Sequence, residues 1–360
     1  MRRRSLNLAS LLVLVTAVAS AAEPVASPPA AVVESSLEPK FFSNLRQVTS
    51  DFVRAGEGYF SRDDRQIVYQ AVTRDYPFYQ IFTQALEGGV PRLVSTGRGR
   101  TTCAYFSPDG KSILYASSHL DPDMSATEEA ERAKQAEAAR TGQRPRYEWI
   151  FDPHTDLFVV DIHGGEPRQL TDTRGYDAEG SYSTDGKWIV FCSDRDGDPD
   201  LYIMSALGGE ARQLTNTPGY DGGPFFSPDG EWVVFRSDRK EKDFLQIYVI
   251  RSDGTGERAL TDNMGVNWAP YWHPTEPYIV WTGADHSNPT ARPNYDLWLM
   301  RYEENDGQIE PGPITRLTDH PSADVLPVFS NDGKRLMWTA SRGDGGTSQL
   351  WIADFALPSE

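Results

Sequence analysis

The chain has 360 residues, with 52 Asp and Glu against 35 Lys and Arg, giving a net charge of −17. That excess opposes nucleic acid, whose phosphates it would repel, and suits a soluble protein that meets cationic partners or ions. Nine Trp, 16 Tyr and 16 Phe supply a sizeable core.

The chain begins as a secretory signal. Arg2 to Arg4 form a basic start, Leu11 to Val18 an apolar run too short for a stable span, and Ala19-Ser20-Ala21 an A-x-A cleavage site. The signal is assigned to residues 1–21. No Cys lies near the cut to carry a lipid. Residues 22–44, rich in Pro, Ala and Ser, read as a linker. No further long apolar run is present, so the mature protein is expected to be exported, periplasmic or secreted, and monomeric, with no membrane span.

From residue 45 the sequence repeats itself. Tyr182 to Thr215 holds a turn (Thr-Asp-Gly), a β-rich run, a polar loop, a second β-rich run, a Gly-containing turn and a short run ending Leu-Thr; Phe226 to Thr261 does the same. Self-similarity at a period of about 40 residues, built from strands and turns, is the mark of a β-propeller. Aligned on the aromatic residue ahead of each turn, copies fall at Phe60-Ser61, Phe106-Ser107, Tyr182-Ser183, Phe226-Ser227, Trp272-His273 and Phe329-Ser330, six in all. Each supplies strands a to d. In the third, b is expected at Lys187–Ser193, c at Asp200–Ala206 and d at Ala211–Thr215. The sixth copy stops after strand c, Gln349–Phe355, whereas Leu45–Thr49 matches a closing run that no repeat precedes. Pairing the two would close the ring and remove an exposed edge. The expectation is an all-β, six-bladed propeller of four-stranded blades over residues 45–357. Cys103 and Cys192 sit in β-rich runs, where buried free thiols are common; one disulfide between them is the alternative.

FSPDGKSILYAS, FSPDGEWVVFRSDR and GGEARQLT resemble the TolB-type propeller repeat, across residues 45–355. The resemblance implies a six-bladed propeller, often periplasmic, that works by protein–protein contact. Similar repeats form the propellers of prolyl-oligopeptidase-like peptidases and of some polysaccharide lyases. The chain departs from TolB in having a Pro/Ala arm where TolB carries an α/β domain, and from the peptidases in lacking a G-x-S-x-G elbow.

In such a ring the d–a and b–c connections share one face, and the long insertions mark it. The b–c loop of blade 2, His119 to Thr155, and that of blade 5, Ala284 to Asn294, both belong there; Glu303 to Pro313, a c–d turn, belongs to the opposite face. Within 119–155 a helix is expected over Ala126–Arg140, capped by Ser125 with Glu128 and stopped by Gly142. Beyond it Arg144, Arg146, Tyr147, Trp149 and His154 combine the residue types of interaction hot spots. Five residues ahead of each turn pair stand Ala55, Thr101, Asp177, Asp221, Asn267 and Asp324. Four are Asp or Asn at the entry to the innermost strands, either as Asx turns or as ligands at the channel mouth. Glu57 and Glu179, two positions on, add negative charge deeper in.

Asp194, Asp196, Asp198 and Asp200 alternate as in a calcium loop, without the closing Glu of an EF-hand. Apart from such a divalent cation, no cofactor is expected. Of the six His, His119, His154, His286 and His320 lie in connections of the ligand face. The expected function is therefore a non-catalytic module binding a protein or an envelope polymer through the insertion-bearing face. The alternative is a polysaccharide lyase or hydrolase using His and carboxylates at the channel mouth.

Overall fold

The computed structural model describes residues 36–142, 150–288 and 290–358. They form a ring of six antiparallel sheets, each of four strands. In blade 3 the strands are a Asp177–Tyr182, b Trp188–Ser193, c Asp200–Ser205 and d Ala211–Gln213, joined in that order. Strands a to c are almost wholly buried, because both of their faces pack against neighbouring blades. The short outer strand d is half-exposed.

The first strand, Phe42–Gln47, completes blade 6 by running antiparallel to Gln349–Phe355. It begins three residues ahead of the expected run. Thr49 then receives the Leu350 amide on its Oγ1 at 2.9 Å. Thr171, Thr215, Thr261 and Thr318 do the same for Leu157, Leu201, Ile247 and Leu297. The recurrent Leu-Thr ending is thus a staple from the outer strand to the start of strand c, and the N-terminal segment repeats it.

The a–b turns have one chemistry. In blade 3 the Ser183 hydroxyl bonds Asp185 at 2.7 Å, Asp185 accepts the Lys187 amide, and Gly186 takes the left-handed conformation at φ 72°. In blade 1, where Gly is missing, Asp64 adopts φ 56° instead. In blade 5 the His273 Nδ1 accepts the amides of Thr275 and Glu276, standing in for the Asp carboxylate.

Two local expectations are corrected. Helix α1 spans Met124–Thr141 with Asp123 at its N-cap and no side-chain cap, so the Ser125–Glu128 box does not form. Those side chains are used on blade 1: Arg98 bonds Ser125 at 2.6 Å, and Glu128 accepts the Tyr76 hydroxyl at 2.7 Å. Gly142 does end the helix, at φ 68°. The c–d insertion at 303–313 is not all turn but mostly strand, a longer hairpin. Strands c and d of blade 5 extend to Asp296–Asn305 and Gln308–Arg316, turning at Asp306 and Gly307, both at positive φ. Asp-Gly between strands is a strong signal for this turn. Cys103 and Cys192 are free and buried.

Candidate binding site in the central channel

Each innermost strand carries a bulge at the same place. Glu57, Cys103, Glu179, Gly223, Ala269 and Leu326, from the six blades in order, all have φ between 46° and 59°. At each, the pairing of strands a and b slips. A bulge re-aims the side chains beside it, and here it presents a ring of six residues to the channel axis. One level deeper, Tyr59, Tyr105, Phe225 and Tyr271 pack against one another with centroids 5.0–6.2 Å apart, and the hydroxyls of Tyr105 and Tyr271 lie 3.0 Å apart. This aromatic layer underlies a cavity of about 1490 Å³ that opens on the face of the d–a and b–c connections. Tyr79, Phe151, Tyr220, Trp268 and Tyr295 form aromatic parts of its wall.

Glu179 is the anchor of the floor. It accepts the Tyr220 hydroxyl at 2.8 Å, the Gly223 amide, and Arg236 Nη2 at 3.0 Å. Gly222 and Gly223 make this possible: a Cβ on either would come within 2.1 Å of the Tyr220 hydroxyl or 2.0 Å of Arg236. In blades 1 and 6 the bulge amide, of Glu57 or Leu326, goes to Thr339 or Thr282 of the preceding blade. Blade 3 has Cys192 at that register position, and the Glu179 carboxylate serves instead.

Glu57 occupies the same ring position as Glu179 with much thinner support. Among the described residues, its carboxylate accepts the Tyr59 hydroxyl at 3.4 Å, and the Cys103 thiol lies against it. Burial is the main reason its pKa rises to about 7; Glu179 pushes the same way, and Cys103 and Arg236 oppose it. On the same cavity wall, the Gln70 Oε1 is buried without a hydrogen-bond partner.

The Asp and Asn positions read from the sequence behave differently. Asp177, Asp221 and Asp324 are at most 1% exposed, and none of them lines the cavity. Each is paired with the Arg 18 positions on, in the b–c connection of its own blade: Arg195 at 3.1 Å, Arg239 at 2.5 Å, and Arg342. Burial raises all three carboxyl pKa values, against the pull of these partners. Asn267 accepts the Trp281 indole N–H at 2.9 Å and donates to Asn263. Arg342 also binds Glu38, tying the segment ahead of the first strand to blade 6.

Of the other candidates, Arg144, Arg146 and Trp149 lie outside the described residues. His154 is 3.8 Å from Asp121 on the blade 2 insertion and does not reach the cavity. Phe151 does, resting on Tyr176 and Tyr220 at 5.0 and 5.8 Å. Ligand oxygens of Asp196, Asp198 and Asp200 fall within 4.8 Å of one another. They already accept bonds from Gln213, Thr215 and the Gly219 amide, and Asp194 is turned away to the Tyr176 amide.

Arg236, Gly222, Gly223, Tyr220 and Gln70 went unread in the sequence, and Cys103 was read only as a buried thiol. The signal was there as broken repeats. The register position of Arg236 is Gln70, Ala116, Cys192, Thr282 and Thr339 in the other blades. Only blade 4 combines an Arg there with Gly-Gly opposite.

A family model described as "TolB beta propeller domain" matches residues 150–216 and 196–291. The chain is a six-bladed β-propeller whose repeats are TolB-like over those residues. A protein of Agrobacterium tumefaciens assigned to TolB superposes with TM-score 0.57 at 20% identity, over 87% of this chain and 97% of the other. TolB of Acinetobacter baumannii gives 0.54 at 18%, over 87% of this chain and 66% of that longer one. An oligogalacturonate lyase of Vibrio parahaemolyticus gives 0.55 at 13%, over 87% and 95%. These likenesses are of fold. Among the described residues, no helix of this chain is long and apolar enough to cross a membrane.

Proposed function

We propose that this TolB-like propeller is an exported, non-catalytic binding module that receives part of a protein partner in the mouth of its central channel. The observation that carries the reading is the cavity of about 1490 Å³ on the face bearing the b–c loops, with aromatic walls and a polar floor. Such a site exceeds what a small metabolite fills and suits an inserted chain segment. Phe151 brings the blade 2 insertion into the same wall, so the insertion-bearing face and the channel are one surface. An envelope polymer would meet the same surface. A lyase or hydrolase built on His and carboxylates is less well supported, since among the described residues no imidazole lines the cavity.

The test is crosslinking capture from envelope extract with mature protein, beside a Trp268→Ala/Tyr295→Ala variant and one lacking residues 120–150. A partner held by the wild type and lost by the rim variant is expected. Partner lists identical across all three proteins would overturn the proposal.

A further inference from the structure

Resting on the reading of the channel as a protein-binding site, we infer that its floor is a subsite for one Lys or Arg side chain of the partner, received by Glu57 and Gln70. The two carboxylates of the bulge ring are not equivalent. Glu179 is saturated by Tyr220, the Gly223 amide and Arg236. Glu57, 9% exposed, lines the cavity with the 3.4 Å contact from Tyr59 and the Cys103 thiol for company. Gln70, 6% exposed, stands opposite Gly56 on the neighbouring strand, lines the same cavity, and has its Oε1 buried and unpartnered. Buried acceptors are normally satisfied, so the unpartnered Gln70 Oε1 awaits a donor, and Glu57 on the same cavity wall, held by the long Tyr59 contact and the Cys103 thiol, has acceptor capacity left for what enters. Two carboxylates face one guanidinium there, and the whole chain carries −17. An ammonium or guanidinium meets both demands, as donor and as cation.

The segment carrying it would be extended. The cavity is far larger than one amine needs, and Trp268 lines it to meet flanking residues and the aliphatic stem, while the Tyr79 and Tyr220 rings on the same wall already carry Arg54 and Arg236 over them. The titratable and charged groups around Glu57 are Tyr59 on its own strand, Cys103 from blade 2, Glu179 from blade 3 and Arg236 from blade 4, with Tyr79 also within its field. Because burial holds the Glu57 proton to about pH 7, a cation must displace it, and binding strengthens as pH rises.

A linear random-peptide library displayed on phage and selected on the mature protein tests this. Enriched peptides that lose binding to Trp268→Ala should carry a Lys or Arg. Changing that residue to Met, or Glu57 to Gln, should weaken binding about tenfold, and Gln70→Met severalfold. Wild-type affinity should rise about tenfold from pH 6 to pH 8 and stay flat in Glu57→Gln. Mouth-binding peptides without a basic residue, or indifferent to both Glu57→Gln and Gln70→Met, overturn the inference and leave the channel a binding site. A library yielding no Trp268-dependent peptide overturns the channel reading and the inference with it.

Discussion

Arg236 of blade 4 reaches Glu179 of blade 3 at 3.0 Å, with the two side chains 13% and 3% exposed. The ion pair therefore joins two blades at the channel floor, where neighbouring blades are also linked by neutral hydrogen bonds such as Glu57 N–H to Thr339 and Leu326 N–H to Thr282. Buried pairs add little net stability over an apolar substitute, but losing one partner strands the other.

Arg236→Met should consequently destabilise the fold by about 3–5 kcal/mol, the usual cost of leaving a buried charge uncompensated. Glu179→Gln combined with Arg236→Met should cost less than the sum of the single changes, because the stranded charge is gone. Urea unfolding at pH 7.5 of the four proteins in this cycle checks it. Strictly additive losses would mean that the two residues do not act as a pair.

Glu57 should make stability depend on pH in the opposite sense from a salt-bridged carboxylate. Its folded pKa, about 7, lies above the ordinary 4.5. Below pH 4.5 the group is protonated in both states and costs nothing. Between pH 4.5 and 7 the unfolded chain ionises first, and stability falls as pH rises. Glu57→Gln should match the wild type near pH 4 and exceed it at pH 8 by up to about 3 kcal/mol, since each pKa unit is worth about 1.4 kcal/mol. Chemical denaturation at the two pH values measures this. Equal stability at pH 8 would show that Glu57 ionises without penalty.

The ring, the blade count and the borrowed outer strand were legible because they are repeated. Six aligned turns, four of them Asp-Gly, and one orphan Leu-x-x-Val-Thr run, Leu45 to Thr49, leave little freedom for the topology. The site was legible only in part. Depth along strand a set Glu57 and Glu179 apart from the entry positions, and both line the cavity, whereas Asp177, Asp221 and Asp324 face their own blades' Arg195, Arg239 and Arg342. The Ser-Asp-Arg copies at 193–195 and 237–239 held that information, at a constant offset of 18, yet an offset becomes a contact only when strands a and b are paired in register. Arg236 and the Gly222-Gly223 pair were hidden for another reason. A residue that breaks a repeat means nothing until the positions opposite it are known.

Removal of the closing strand should expose what it covers. Without residues up to 47, strand c of blade 6 becomes a free edge. Phe42 no longer packs on Trp338 and Phe355 at 5.2 and 5.8 Å, and Arg342 loses Glu38. The truncated protein should melt about 5–10 °C lower, as a few kcal/mol at roughly 2–4 °C each would give in a large domain. It should also self-associate through the new edge. Differential scanning calorimetry and light scattering read the two effects; an unchanged melting temperature in a monomer would show that closure contributes nothing.

Gly223 gives the sharpest test of how the floor is built, because Gly230 supplies a matched control. Both have positive φ, 58° and 78°. A Cβ on Gly230 meets nothing within 4 Å, whereas one on Gly223 falls 2.0 Å from Arg236 Nη1. Gly230→Ala should therefore show the conformational cost alone, about 1–2 kcal/mol for an L-residue held in the left-handed region. Gly223→Ala should add the loss of the Arg236–Glu179 contact, for a total nearer the roughly 3–5 kcal/mol of a broken buried pair. In the Arg236→Met background that added cost should largely vanish, since the thioether chain can bend away from the new methyl. Urea midpoints for Gly230→Ala, Gly223→Ala, Arg236→Met and the Gly223→Ala/Arg236→Met double variant decide it. If Gly223→Ala and Gly230→Ala cost the same, Arg236 has room to move, and the two glycines serve the bulge rather than the guanidinium.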